Sequence, residues 1–204
     1  MESNKTDQQD LYFHFTLGPV QGFVAEARRT RDFWAGSFLL SWLSAVAMQA
    51  TKQQGGEITF PLPDDNYLDF LVGEGKGHPP QQGSIPNRFK AVQAKVPQDF
   101  NADLVMQSVE AAWQALAEQV WCEDIEPLTG SGDQSKNIWD RQVTQFWDKS
   151  WCLTDDAQAS ELLDRRKNWR SYMAPTELGI KCSLMEGRQE ISGQSYQKGM
   201  QQFW

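Results

Sequence analysis

The sequence predicts an α+β fold of the ferredoxin-like, palm type: an antiparallel sheet with helices on one face. Three observations carry this expectation. The chain opens on a strand whose apolar residues alternate, followed by a helix whose apolar residues recur at three- and four-residue spacings. Two short β-prone stretches come next, each closed by proline. A second amphipathic helix and a final strand then complete the order strand, helix, strand, strand, helix, strand.

Each element has its own signature. Leu11, Phe13, Phe15 and Leu17 alternate with Tyr12, His14 and Thr16, the pattern of a strand with one buried face. Gly18 and Pro19 stop it. Phe23, Ala27, Trp34, Phe38, Trp42 and Val46 then mark one long helix reaching Gln53. Its near end, with Arg28, Arg29 and Arg31, must be wet. From Phe33 onward it is apolar apart from Ser37, Ser41 and Ser44, so its far end must be buried. Gln54, Gly55 and Gly56 close it. Glu57 to Phe60 is a second strand, ended by Pro61. Residues 61–88 are an inserted loop rich in proline and glycine, with Tyr67 to Val72 able to form one helical turn. Phe89 to Val96 is the third strand. Asp99 to Trp121 is the second long helix, capped by Asn101 or Asp99, with Leu104, Val105, Val109, Trp113, Leu116 and Val120 on its buried stripe. Ser135 to Val143 reads as a short helix, and Thr144 to Leu153 as the fourth strand, with Phe146, Trp151 and Leu153 among its large residues. Asp155 to about Tyr172 is a charged amphipathic helix that Pro175 breaks, with Leu162, Leu163, Trp169 and Tyr172 available for packing. The division is thus a mobile tail (1–10), a palm domain (11–154) and a helix leading into an incomplete further domain (155–204).

Composition narrows the function. Of 204 residues, 40% are hydrophobic and 12% aromatic, which excludes a disordered chain. Nine tryptophans call for deep packing or an interface. A net charge of -8 and a pI near 4.8 argue against a free-standing nucleic-acid binder, so any such contact is local. The first ten residues do not resemble a signal peptide, and no stretch approaches membrane-spanning length without charge, so a cytoplasmic protein with no membrane role is expected. Cys122, Cys152 and Cys182 are odd in number and far apart, which speaks for reduced thiols.

Palm folds that transfer nucleotidyl groups use two metal ions held by carboxylates on the first strand and a central hairpin. Leu11 to Leu17 contains no carboxylate, and no Gly-Gly-Asp-Asp hairpin occurs. Asp64-Asp65 and Asp155-Asp156 read as capping or solvated pairs. No catalytic residue and no metal site is assigned. His14 and His78 are the only histidines, and neither precedes an aspartate.

The stretch GPVQGFVAEARRTRDFWAGSFLLSWL resembles the opening motif of the large, polymerase/cyclase-like subunit of type III CRISPR effector complexes, the Cmr (III-B) kind in particular. Later stretches agree in order: SIPNRF (Ser84 to Phe89), IWDRQVTQFW (Ile138 to Trp147), DRRKNWR (Asp164 to Arg170) and KCSLMEGRQEISG (Lys181 to Gly193). The intact family member is similar in having two palms, with the acidic hairpin in the second. The resemblance therefore implies a non-catalytic first palm, which helps shape the pocket where ATP, with a divalent metal such as Mg, is joined into cyclic oligoadenylate. For this chain alone no cofactor is expected. The partners implied are the other subunits of a type III complex and, through it, guide RNA and target RNA. The Gly18 to Gly22 turn precedes a helix N-terminus, where free N–H groups and the helix dipole suit a phosphate. With the resemblance, Gly18, Gln21, Gly22 and Phe23 become nucleotide-binding candidates, with Ser37 and Ser41 as polar contacts along the helix. Arg28, Arg29 and Arg31, and the cluster Arg165, Arg166, Lys167 and Arg170 around Trp169, are candidates for RNA or partner contact. Family members often carry Cys-x-x-Cys, half of a zinc site, where this chain has Cys182 and Met185. A thioether is a poor zinc ligand, so no zinc is expected. Two other readings stay open: a small stand-alone nucleotide cyclase-like enzyme, and an interaction or regulatory protein derived from such a subunit.

Overall fold

A computed structural model of the chain describes residues 10–129, 133–156, 160–169, 177–185, 187–195 and 197–203. The tail expected over 1–10 lies outside them except for Asp10. The chain divides into two compact units. One comprises Met1–Val109 with Lys149–Arg170, the other Glu110–Asp148 with Ser171–Trp204.

The first unit is built on strand β1 (Leu11–Gly18), helices α1 (Gln21–Ala25) and α2 (Thr30–Gln53), strand β2 (Glu57–Ile58), helix α3 (Asp65–Leu71) and strand β3 (Arg88–Val96). The first part of helix α4 (Ala102–Val120), strand β4 (Asp148–Thr154) and helix α7 (Ser160–Trp169) complete it. The sheet has the order β2-β3-β1-β4, with β1 antiparallel to β3 and β3 antiparallel to β2. The first and third strands are therefore central neighbours, as expected. Phe13, Phe15 and Leu17 are fully buried, and their face collects Phe89 (5.5 Å between ring centroids from Phe15) and Phe100 (4.9 Å from Phe13). Helix α2 rests on β2 and β3 and buries Leu40, Leu43, Ala47 and Met48. Asn101 caps α4 by accepting the Asp103 N–H at 2.9 Å. Along α4, Ala102, Val105, Val109 and Ala117 are buried, while Leu104, expected on this stripe, falls off it and is exposed.

Between the Phe13–Ala94 and Phe15–Phe89 pairs β1 advances two residues and β3 five, so β3 carries three extra residues opposite His14.

Five expectations are corrected. The helix after Gly18-Pro19 is two helices, broken over Glu26 to Arg29. Arg29 is extended (φ -129°, ψ 154°) and its N–H is taken by the Asp32 carboxylate at 3.1 Å. The break lets Phe23 lie on Gly36, where an added Cβ would stand 3.3 Å from the ring. In an unbroken helix these residues would be about 20 Å apart. Strand β1 is buried on both faces, because His14 and Thr16 are 0% and 3% exposed. Helices do not all lie on one face: Thr16 faces Arg88 across the ladder, and Arg88 pairs with Asp164 of α7. Cross-strand partners share a face, so α7 covers the side opposite the phenylalanines. Strand β4 begins at Asp148, since Thr144 still belongs to a helix, with its hydroxyl donating to the Asp140 carbonyl (2.8 Å). Finally, α2 is long and apolar enough to cross a membrane by length and composition, although half of that window is buried inside the protein.

The second unit continues α4 through one π-turn (Trp121–Ile125) into α5 (Glu126–Thr129), then α6 (Asp133–Thr144) and, near the end, α8 (Gln197–Phe203). Several of the tryptophans meet here. Trp113 packs edge-on against Trp147 (5.4 Å) and donates its indole N–H to the Val143 carbonyl (3.0 Å), and Trp121 lies 6.0 Å from Trp139. Arg141 grips the buried Glu177 carboxylate at 2.6 and 3.1 Å and also reaches Gln189. That contact ties down a segment in which Lys181 and Gln189 form a single antiparallel bridge.

Candidate functional site

The turn that the sequence singles out is exposed. Gly18 ends β1, its peptide bond to Pro19 is cis, and Gln21 and Gly22 are open to solvent in a helix of only five residues. Phe23 is half-buried against Gly36. The next helix start, at α2, already holds an anion of its own, the Asp32 carboxylate on the Arg29 N–H.

Ser37 and Ser41, on α2, carry the loop that contains Gly83 and Ile85. A Cβ on Gly83 would come within 2.6 Å of the Ser37 carbonyl oxygen, so only glycine lets the loop approach so closely. Ser41, 2% exposed, accepts the Ile85 N–H at 2.7 Å. Trp34 donates to the Gln81 carbonyl (2.9 Å) and stacks on Phe38. Arg28, Arg29 and Arg31 lie exposed around the helix break, and Arg31 stands 3.6 Å from Asp32, a pair of little energetic value.

In α7, Arg165 faces Glu161, while Arg166 donates to the Trp151 carbonyl (3.0 Å) and sits over the Trp151 ring at 4.7 Å. Of the four-residue basic cluster only Arg165 and Arg166 are described with their side chains. Lys167 lies in α7 with its side chain outside the described residues, and Arg170 lies outside them altogether.

The sequence does not reveal the second face of β1. Both ring nitrogens of His14 are buried without a partner, and so are the Thr16 hydroxyl and the Arg88 Nε. Ser150, on neighbouring β4, is buried in the same condition. Burial first, and then the Arg88 charge, lower the His14 pKa from 6.5 to about 4, against the opposing pull of Asp156, so the imidazole is neutral at physiological pH. Arg88 belongs to the SIPNRF stretch, which is the one signal that could have marked this place.

The Asp64-Asp65 pair takes structural roles. Asp64 caps α3 by accepting the Tyr67 N–H, Asp65 pairs with Lys52 at 2.8 Å, and Asp156 donates its N–H to Thr154 Oγ1. Cys182 Sγ accepts the Leu184 N–H at 3.4 Å, the turn a zinc knuckle uses, but Met185 stands where the second thiolate would be. Among the described residues no three His, Cys, Asp or Glu side chains gather as a metal centre requires. Neither zinc nor a catalytic metal pair fits these residues.

Comparison with known proteins decides the family. The model described as CRISPR-associated protein Cmr2, N-terminal, matches residues 12–118, just over half of the chain. The chain belongs to the Cmr2 N-terminal family. The CRISPR system Cmr subunit Cmr2 of Pyrococcus furiosus is 33% identical over 78 residues, a match covering 36% of this chain and 9% of that protein. Less than a tenth of that relative's length is therefore matched. The Cmr2 N-terminal match takes in β1, the helix break, β3 and most of α4, and so includes His14, Thr16 and Arg88, whereas α7 with Asp164 lies beyond it.

Proposed function

We propose that this chain is the non-catalytic first palm region of a type III-B CRISPR large subunit, scaffolding an RNA-guided effector complex and forming one wall of the ATP pocket of the intact subunit. Membership of the Cmr2 N-terminal family is the observation that carries this reading. The order β2-β3-β1-β4 with β1 antiparallel to β3 supports a ferredoxin-like palm over residues 11–154, and the lack of any carboxylate on β1 supports a non-catalytic role. The nucleotide would approach the Gly18 to Phe23 turn, where Gln21 and Gly22 are exposed. Ser37 and Ser41 would serve by fixing the loop that contains Gly83 and Ile85, and Arg28, Arg29 and Arg31 would meet RNA or another subunit. The setting is cytoplasmic.

The test is assembly. Tagged chain expressed with the remaining subunits of a Cmr complex and the rest of the large subunit is expected to co-purify with them, while the chain alone with ATP and Mg forms no phosphodiester product. Cyclic or linear oligoadenylate made by the pure chain, with no co-purification, would establish the stand-alone cyclase-like enzyme instead. Competition with the intact large subunit for assembly would mark a regulatory module.

A further inference from the structure

We propose that α7 is a removable cover over a phosphate-binding face of the sheet, with the Asp164 carboxylate occupying the place of a nucleotide's terminal phosphate. This deepens the ATP-pocket reading and rests on it only for the identity of the nucleotide.

The second face of β1 holds unmet polar atoms. Buried groups of this kind are nearly always hydrogen-bonded, and one left unmet is costly. Here His14 contributes two, and Thr16 and Arg88 one each, all around the second face of β1. They flank the place where β3 carries its three extra residues, an irregularity of the kind that re-aims side chains near sites. A face built only for packing would carry apolar groups, as the opposite face does.

The donors suit an oxyanion. Arg88 holds Asp164 through Nη2 while its Nε is unmet, so the guanidinium fork is half used. A phosphate presents oxygens to both prongs at once, and arginine binds that geometry best. Thr16, directly across the ladder from Arg88, has a hydroxyl to donate, and neutral His14 has one ring N–H. Asp164 satisfies only part of this set, as a stand-in carboxylate would.

Among the described residues α7 is held by the Arg88–Asp164 pair, the buried Leu163 and the Arg166 contacts to Trp151. A terminal phosphate fits better than an RNA backbone, because the site offers one arginine on a chain of charge -8, and a backbone tract needs a run of cations.

Calorimetric titration of the 204-residue chain with ATP, inorganic tripolyphosphate and a single-stranded RNA oligonucleotide tests this. Asp164→Ala is expected to bind ATP and tripolyphosphate at least about tenfold more tightly than the wild type, and Asp164→Ala with Arg88→Ala to lose the gain. Where Asp164→Ala fails to fold by circular dichroism, Asp164→Asn, which keeps the shape and removes the charge, is measured in its place. A folded variant binding no tighter than wild type, a gain that survives loss of Arg88, or a gain for RNA alone would each overturn the proposal. Failure of the palm reading would appear elsewhere, in complex assembly.

Discussion

Strand β1 presents two faces that are equally shut off from water and opposite in chemistry. Phe13, Phe15 and Leu17 fill one with rings and methyls that meet Phe89 and Phe100. His14 and Thr16 fill the other, one or two residues away, with polar atoms that meet nothing. Burial on the first face stabilises the fold by removing apolar surface and by close packing. On the second it costs desolvation that no hydrogen bond returns. Depth alone therefore does not identify a core residue. What matters is whether the buried atoms have partners.

The comparison can be broken most forcefully at Phe15. Phe15→Ala should lower unfolding free energy by about 3–5 kcal/mol in urea titration, the range for emptying an aromatic core site. Next comes pH. The folded pKa of His14, about 4, lies below its unfolded value of 6.5. Stability is thus complete above pH 6.5 and falls as pH drops through that window towards 4, by about 3 kcal/mol. In His14→Gln that slope should flatten when denaturation midpoints are followed from pH 7 to 4. A slope unchanged in the variant would place the acid sensitivity elsewhere. A smaller loss is expected for Ser41→Ala, which leaves the buried Ile85 N–H unmet and should cost about 1–3 kcal/mol. Smallest is Thr16→Val, nearly the same shape, which removes an unmet hydroxyl and should be neutral or stabilising by up to about 1 kcal/mol. A clear destabilisation there would mean that Thr16 has a partner, and the contrast between the faces would fail.

Much of the first unit was legible in local pattern. The alternation of β1, the wet near end and buried far end of α2, the Asn101 cap and the Asp64 cap all depend on residues within a few positions of each other. The break between α1 and α2 was not, because no glycine or proline marks Glu26 to Arg29. It is set by Phe23 folding onto Gly36, a contact thirteen positions away. Nor was the burial of His14, since a polar residue alternating with phenylalanines reads as a solvent face until α7, some 150 residues later, is laid over it. Of the candidate site, the turn and Ser41 could be named from sequence. Arg88 could not be paired with Asp164, because that pair links a strand to a helix 76 positions away.

The three extra residues of β3 also change how that strand must be read. Phe89 and Ala94 are five positions apart, so strict alternation would send them to opposite sides. Both nevertheless lie on the phenylalanine face, opposite Phe15 and Phe13. An odd number of looped residues acts as a phase shifter, splicing two short strands of opposite parity into one. Deleting one residue from this segment would leave Phe89 and Ala94 four positions apart, a spacing at which plain alternation already puts both on one face, so the strand could pair without the phase shift.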